Sequence, residues 1–164
     1  MTSLKLVEDS IILGEHEYQV AIDTVIAQAQ QKLLIFDQDF SKGDFTSLKR
    51  YELIQTFLNK SVTSELSIIL QDATFFTTGC PRLFDLLSTY GHKMTVYETN
   101  THAKIAKDCF ILADSNSYIR RFHIDQARFK YTLNDMETNR SLANRFDELL
   151  EETTHTISPT KLGL

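Results

Sequence analysis

The sequence has no tryptophan, two prolines, two cysteines and five glycines in 164 residues. Each scarcity excludes something. Two cysteines, Cys80 and Cys109, make at most one bridge. A chain of this length buries enough apolar surface to fold without it. The cysteines form neither a C-x-x-C pair nor a cluster with histidine, so no zinc site and no other metal or cofactor is expected. No apolar run approaches the roughly 18–20 residues of a membrane span, so no membrane partner is expected. The opening "MTSLKLVEDSIILGEHEY" sets acidic residues beside short apolar runs and lacks a small-residue cleavage site. It does not read as an export signal, and a cytoplasmic protein with free thiols is the expectation. A basic excess is missing too: the formal net charge is -5 and the pI about 5.5. That balance argues against nucleic acid as the partner. No low-complexity segment, linker or repeat is visible. One domain over residues 1–155 is expected, followed by a short tail over 156–164.

What is present is alternation. Residues 10–13, "SIIL", suit a short strand. Tyr18, Ile22, Val25, Ile26 and Ala29 recur at helical spacing. "KLLIF" (32–36) and "ELSIIL" (65–70) are continuous apolar runs of the kind buried on both faces of a sheet. Between them Leu48, Tyr51, Ile54, Phe57 and Leu58 line a helix, with Ser47 as its N-cap. "QDATFFTTG" reads as a loop, with Phe75 and Phe76 either core or contact residues. Pro81 opens a third helix lined by Leu83, Phe84, Leu87 and Tyr90. "MTVYE", "CFILA", "YIRRF" and "RFKYTL" read as strands, and Leu142, Phe146, Leu149 and Leu150 stripe a last helix. The order predicts an α/β domain whose mostly parallel, mixed sheet is flanked by helices.

In such sheets, ligands bind beyond the C-terminal strand ends. Those ends carry Asp37, Asp39, Asp72 and residues 99–104. The acidic residues there match no phosphate loop or paired-carboxylate metal set. Cys80 sits at a helix start, where a thiolate is favoured, though a small buried cysteine is the simpler reading. Arg120, Arg121, Arg128 and Lys130 form one basic cluster in the chain. The richest stretch is "NTHAKIAKDCFILADSN" (100–116), with His102, Lys104, Lys107, Asp108, Cys109 and Asp114.

The order of elements, from "AIDTVIAQAQQKLLIFDQDF" through "ELSIILQD", "GHKMTVYETNTHAK" and "KDCFILADSNSYI" to "SLANRFDELLEE", resembles the phospholipase D-like superfamily over nearly the whole chain. "PRLFDLLSTYG", "RFDELLEETTHT" and "KLGL" resemble a proteobacterial phospholipase D-like domain of unknown function more closely, with leucine where that family has tryptophan. The resemblance implies a signature of His-x-Lys, four residues, then Asp. In it, histidine attacks phosphorus to form a phospho-enzyme, a second histidine protonates the leaving oxygen, and lysine neutralises charge.

Two registers fit. In the first, His102 and Lys104 are the pair and Asp108 stands one position early. In the second, Asp114 is the aspartate, and Lys107 and Cys109 occupy the histidine and lysine positions. The apolar run before Asp114 favours the second, because a one-residue slip turns every side chain of a strand to the other face. Three functional readings follow. The first is a catalytically inactive module that binds a protein partner or an anion through Lys107, Arg120 and Arg121. The second is a phosphodiesterase or nuclease using His102, Lys104 and Asp108; a single signature copy then requires a homodimer. The third is nucleic-acid or anion binding without hydrolysis.

Overall fold

The computed structural model of the protein describes residues 6–100 and 105–159. The chain runs β1 (Ile12–Leu13), α1 (Glu15–Gln28), β2 (Lys32–Asp37), α2 (Leu48–Leu58), β3 (Glu65–Leu70), α3 (Thr74–Gly79), α4 (Pro81–Thr89), β4 (Met94–Thr99), β5 (Cys109–Ala113), β6 (Ser117–His123), β7 (Gln126–Thr132), α5 (Met136–Glu151) and β8 (Thr153–Thr156). One sheet holds the strands in the order β1-β7-β6-β5-β2-β3-β4-β8. It is mixed: β2, β3 and β4 are parallel, and the flanking pairs are antiparallel. The parallel share is confined to the units whose crossovers are helical. β5 follows β4 and pairs with β2 from the opposite direction.

The α/β class and the flanking helices follow from burial on both sheet faces. Leu33, Ile35, Leu66, Ile68 and Ile111 point to one face, where they pack with Tyr18 and Ile22 of α1, Ile54 of α2 and Leu83 of α4. Leu34, Phe36, Ile69, Phe110 and Leu112 point to the other, under Leu142, Phe146 and Leu149 of α5. The period of two along β2 and β5 thus divides one apolar run between two cores.

Side chains close both ends of α2 and the end of α1. The Ser47 hydroxyl caps α2 by accepting the Arg50 N–H at 3.1 Å. Lys60 donates to the Ala27 and Ala29 carbonyls after α1. Lys93 donates to the Leu58 and Ser61 carbonyls at the end of α2, rather than to α4, which it follows. Two expectations shift. Residues 74–79 form a short helix, and Phe76 is buried in the core while Phe75 packs partly against it. After α5 the chain returns as edge strand β8 on β4. The Ile157 N–H bonds the Val96 carbonyl beyond it.

Candidate functional site

Because β5 runs against β2, its first residues lie beside the last residues of β2. Asp108 and Cys109 therefore stand at the same sheet edge as Asp37, Gln71 and Thr99, where the parallel strands end. This is the edge the sequence predicts for ligands. The structure fills it with internal hydrogen bonds. Gln38 Nε2 donates to the carbonyls of Ala106 (3.0 Å) and Asp108 (2.9 Å). Gln71 Nε2 donates to the same Ala106 carbonyl at 3.0 Å, and its Oε1 accepts the Thr99 hydroxyl at 2.5 Å. Two glutamines thus clamp the backbone that leads into β5. Every buried side-chain nitrogen and oxygen among the described residues has a partner.

Strand alternation sends the next two side chains to opposite faces. Asp108 turns toward α5 and is almost fully buried. Arg145 grips it with both terminal nitrogens, at 2.6 Å from Nη2 to Oδ1 and with Nη1 on Oδ2. Arg120 Nε adds a bond to Oδ2 at 3.0 Å. Burial pushes the Asp108 carboxyl up, but the two guanidiniums outweigh it and hold the carboxyl below its usual value. This aspartate is a charged, saturated acceptor.

Cys109 turns toward α1. Its thiol bonds Asp37, and burial, joined by the Asp37 charge, pushes it well above an ordinary thiol. Asp37 accepts the backbone N–H groups of Phe40 (2.6 Å) and Asp39 (3.2 Å). Burial dominates its environment and raises it to about 6. Cys80 is likewise buried, and burial pushes its thiol up to about 11. Neither cysteine has the electropositive, open setting of a reactive thiolate.

Arg120 and Arg121 do not form one patch. Arg121 is fully buried on the α1 side, where Nη1 and Nη2 bond the two Glu15 oxygens at 2.7 and 2.9 Å. Its remaining bonds go to the carbonyls of His123 and Ile124. Arg121, expected among the anion-binding residues, is buried in an ion pair with half-exposed Glu15 and lies over the Tyr18 ring. Arg120 and Arg128 instead flank the Phe122 ring, at 5.3 and 5.5 Å from its centre. Lys130 pairs with Asp9 at 3.0 Å. Lys107 is exposed at the edge, and its carbonyl accepts the Ile124 N–H.

Asp114 ends β5 in the left-handed region, at φ 56°. Its carboxylate accepts the N–H groups of Gln30 (3.0 Å), Gln31 (2.8 Å) and Lys32 (3.1 Å). It pins the turn between α1 and β2 at the far end of the strand. His102 and Lys104 lie outside the described residues. No group of three or more metal-ligating side chains occurs among the described residues.

Sequence reasoning misses Arg145, Gln38 and Gln71. Arg145 does leave a signal: it sits three residues after Leu142 and four before Leu149, a lone cation on an apolar stripe.

Solved structures share this architecture. The fold is similar to that of TrmBL2, an archaeal chromatin protein with a novel mode of DNA binding, at TM-score 0.67 and 11% identity. That alignment covers 93% of this chain and 55% of the other, so the chain spans about half of the chromatin protein's length. It is also similar to Nuc of Salmonella typhimurium, a phospholipase D family member (TM-score 0.61, 11% identity, 88% of this chain and 96% of that one). NucT of Helicobacter pylori matches at TM-score 0.57 and 13% identity, over 88% of this chain and 96% of that one. The fold is therefore phospholipase D-like. No curated protein matches the sequence. No helix among the described residues is long and apolar enough to cross a membrane. Residues 14–158 match the family described as Domain of unknown function (DUF7931), and the chain belongs to that family.

Proposed function

We propose that this phospholipase D-like domain is catalytically inactive and serves as a binding module for an anionic or protein partner. One observation carries the reading. β5 is apolar from Phe110 to Ala113 and is followed by Asp114 at the strand end, which supports the register with Asp114 as the aspartate. In that register Lys107 holds the position of the phosphorus-attacking histidine and Cys109 that of the charge-neutralising lysine. A lysine cannot become a phosphohistidine, and a buried, protonated thiol cannot neutralise phosphoryl charge. Lys107 is exposed at that edge, and Arg120 lies on the neighbouring strand β6, opposite Phe110. Both suit anion binding without turnover.

A second reading keeps His102 and Lys104 as the pair, with a homodimer bringing two histidines together. The observation in its favour is position: Asn100 is held at the same edge by hydrogen bonds to Glu152. Asp108 does not support it, because Arg145 and Arg120 already saturate that carboxylate. The test is hydrolysis of bis(4-nitrophenyl) phosphate by the full chain. The expected rate is the uncatalysed background. Turnover that disappears in His102→Ala overturns the module reading. Titration with inorganic phosphate, followed by NMR, is expected to move the resonances of Lys107 and Arg120 and to leave Arg121 unmoved.

A further inference from the structure

The opposite end of the sheet carries a cavity of about 550 Å³ against α5. Lys32 opens β2 there, and Asp114 follows the end of β5. The floor is apolar, built from Leu34 of β2 with Met136 and Ala143 of α5. Strand alternation puts Lys32 on the same face as Leu34, the face that α5 covers. Along α5, Met136, Arg140 and Ala143 share one flank, being four and three residues apart. Lys32 and Arg140 thus border an apolar hollow, and neither has an ion pair among the described residues.

Two cations, Lys32 and Arg140, and one carboxylate line the cavity, so cations are in excess there. Its single carboxylate lining residue, Asp114, is engaged by three backbone N–H groups. Its polar residue Asn139 is likewise engaged, donating to the Ser117 carbonyl at 2.8 Å. An adjoining hollow shares Met136 and Arg140 and adds Glu137 on its far side. Met136 is 55% exposed, a large apolar side chain left facing water beside two cations. The volume falls within the roughly 300–1,000 Å³ of small-molecule sites.

We propose that this cavity binds a small amphipathic anion, an aliphatic or aromatic body bearing one carboxylate. The body would cover Leu34, Met136 and Ala143, and the carboxylate would sit between Lys32 and Arg140. Apolar burial supplies the attraction, and the cations fix the orientation. None of the lining residues belongs to the edge that holds Asp37 and Cys109, so this site stands apart from the proposed module surface.

The test is calorimetric titration of the full chain with octanoate, with octanol as the uncharged counterpart. Saturable one-to-one binding of octanoate is expected, about tenfold tighter than octanol, the worth of one charge-assisted contact. Arg140→Glu and Lys32→Glu are each expected to weaken octanoate about tenfold and to leave octanol unchanged. Met136→Glu puts a negative charge on the floor at a half-exposed position that the fold does not need buried. It is expected to remove octanoate binding while the unfolding midpoint stays in place. Octanol bound as tightly as octanoate, charge reversals without effect, or no saturable binding of octanoate would each overturn the proposal.

Discussion

Replacing Asp108 by asparagine separates a structural carboxylate from a catalytic one. The substitution keeps the shape and removes the charge that three guanidinium nitrogens share. Breaking a fully buried ion pair by deleting one partner costs about 3–5 kcal/mol. Asp108 meets the burial condition, with a side chain 5% exposed, but Arg145 and Arg120 are 31% and 38% exposed. Water can resolvate both cations once they are released, which lowers the cost toward about 2–3 kcal/mol. Most of it belongs to Arg145, whose two-pronged grip is the stronger contact. The assay is urea unfolding at pH 7 of Asp108→Asn, Arg145→Gln and the double variant. The cycle is expected to give a coupling of about 1–2 kcal/mol, with an unchanged denaturant slope. A loss below about 0.5 kcal/mol for Asp108→Asn would refute the reasoning, since that is the level of an ordinary surface substitution.

Asp37 predicts an unusual pH dependence. Its folded value of about 6 lies above the usual 3.8, so the folded state holds the proton more tightly. The stabilisation is fully present below 3.8 and is lost as pH rises to about 6, by roughly 3 kcal/mol. Asp108 and Glu15 are lowered instead, so their contributions are fully present above about 4.5 and fade as pH falls below it, overlapping only the acid foot of the Asp37 window. Unfolding free energy is therefore expected to fall between about pH 4.5 and pH 6, and Asp37→Asn should flatten that slope. Asp114→Ala removes the acceptor of three backbone N–H groups and is expected to cost about 2–3 kcal/mol in thermal or urea unfolding. Cys80 and Cys109 are buried with raised thiols, so Ellman's reagent should modify neither in the native protein within minutes and both at once in guanidinium.

The fold was legible where the sequence carries long periodic signals. The apolar runs of β2 and β3 and the stripes of α1, α2 and α5 all form the predicted element type. The misses have physical causes. α3 is six residues long, too short to show a period, and "TTHT" of β8 becomes a strand only because β4 offers it an edge. At the candidate site, the start of β5 at Cys109, just after Asp108, was readable, but the partners of both residues were not. Asp108 meets Arg145 across 37 residues, and Arg121 meets Glu15 across 106. Those pairings depend on the sheet order. The alternation of β6 does, in principle, reveal that Arg120 and Arg121 point to opposite faces. A basic cluster counted along the chain is therefore not a cluster in space.

The proposed function holds that no phosphorus-attacking histidine operates in this chain. Superfamily chemistry passes through a covalent phospho-enzyme, so the direct measurement is the intact mass of the full chain after mixing with excess phosphodiester at neutral pH. The account predicts an unchanged mass for the wild type and for His102→Ala alike. A phosphoryl adduct on the wild type that is absent from His102→Ala would contradict it.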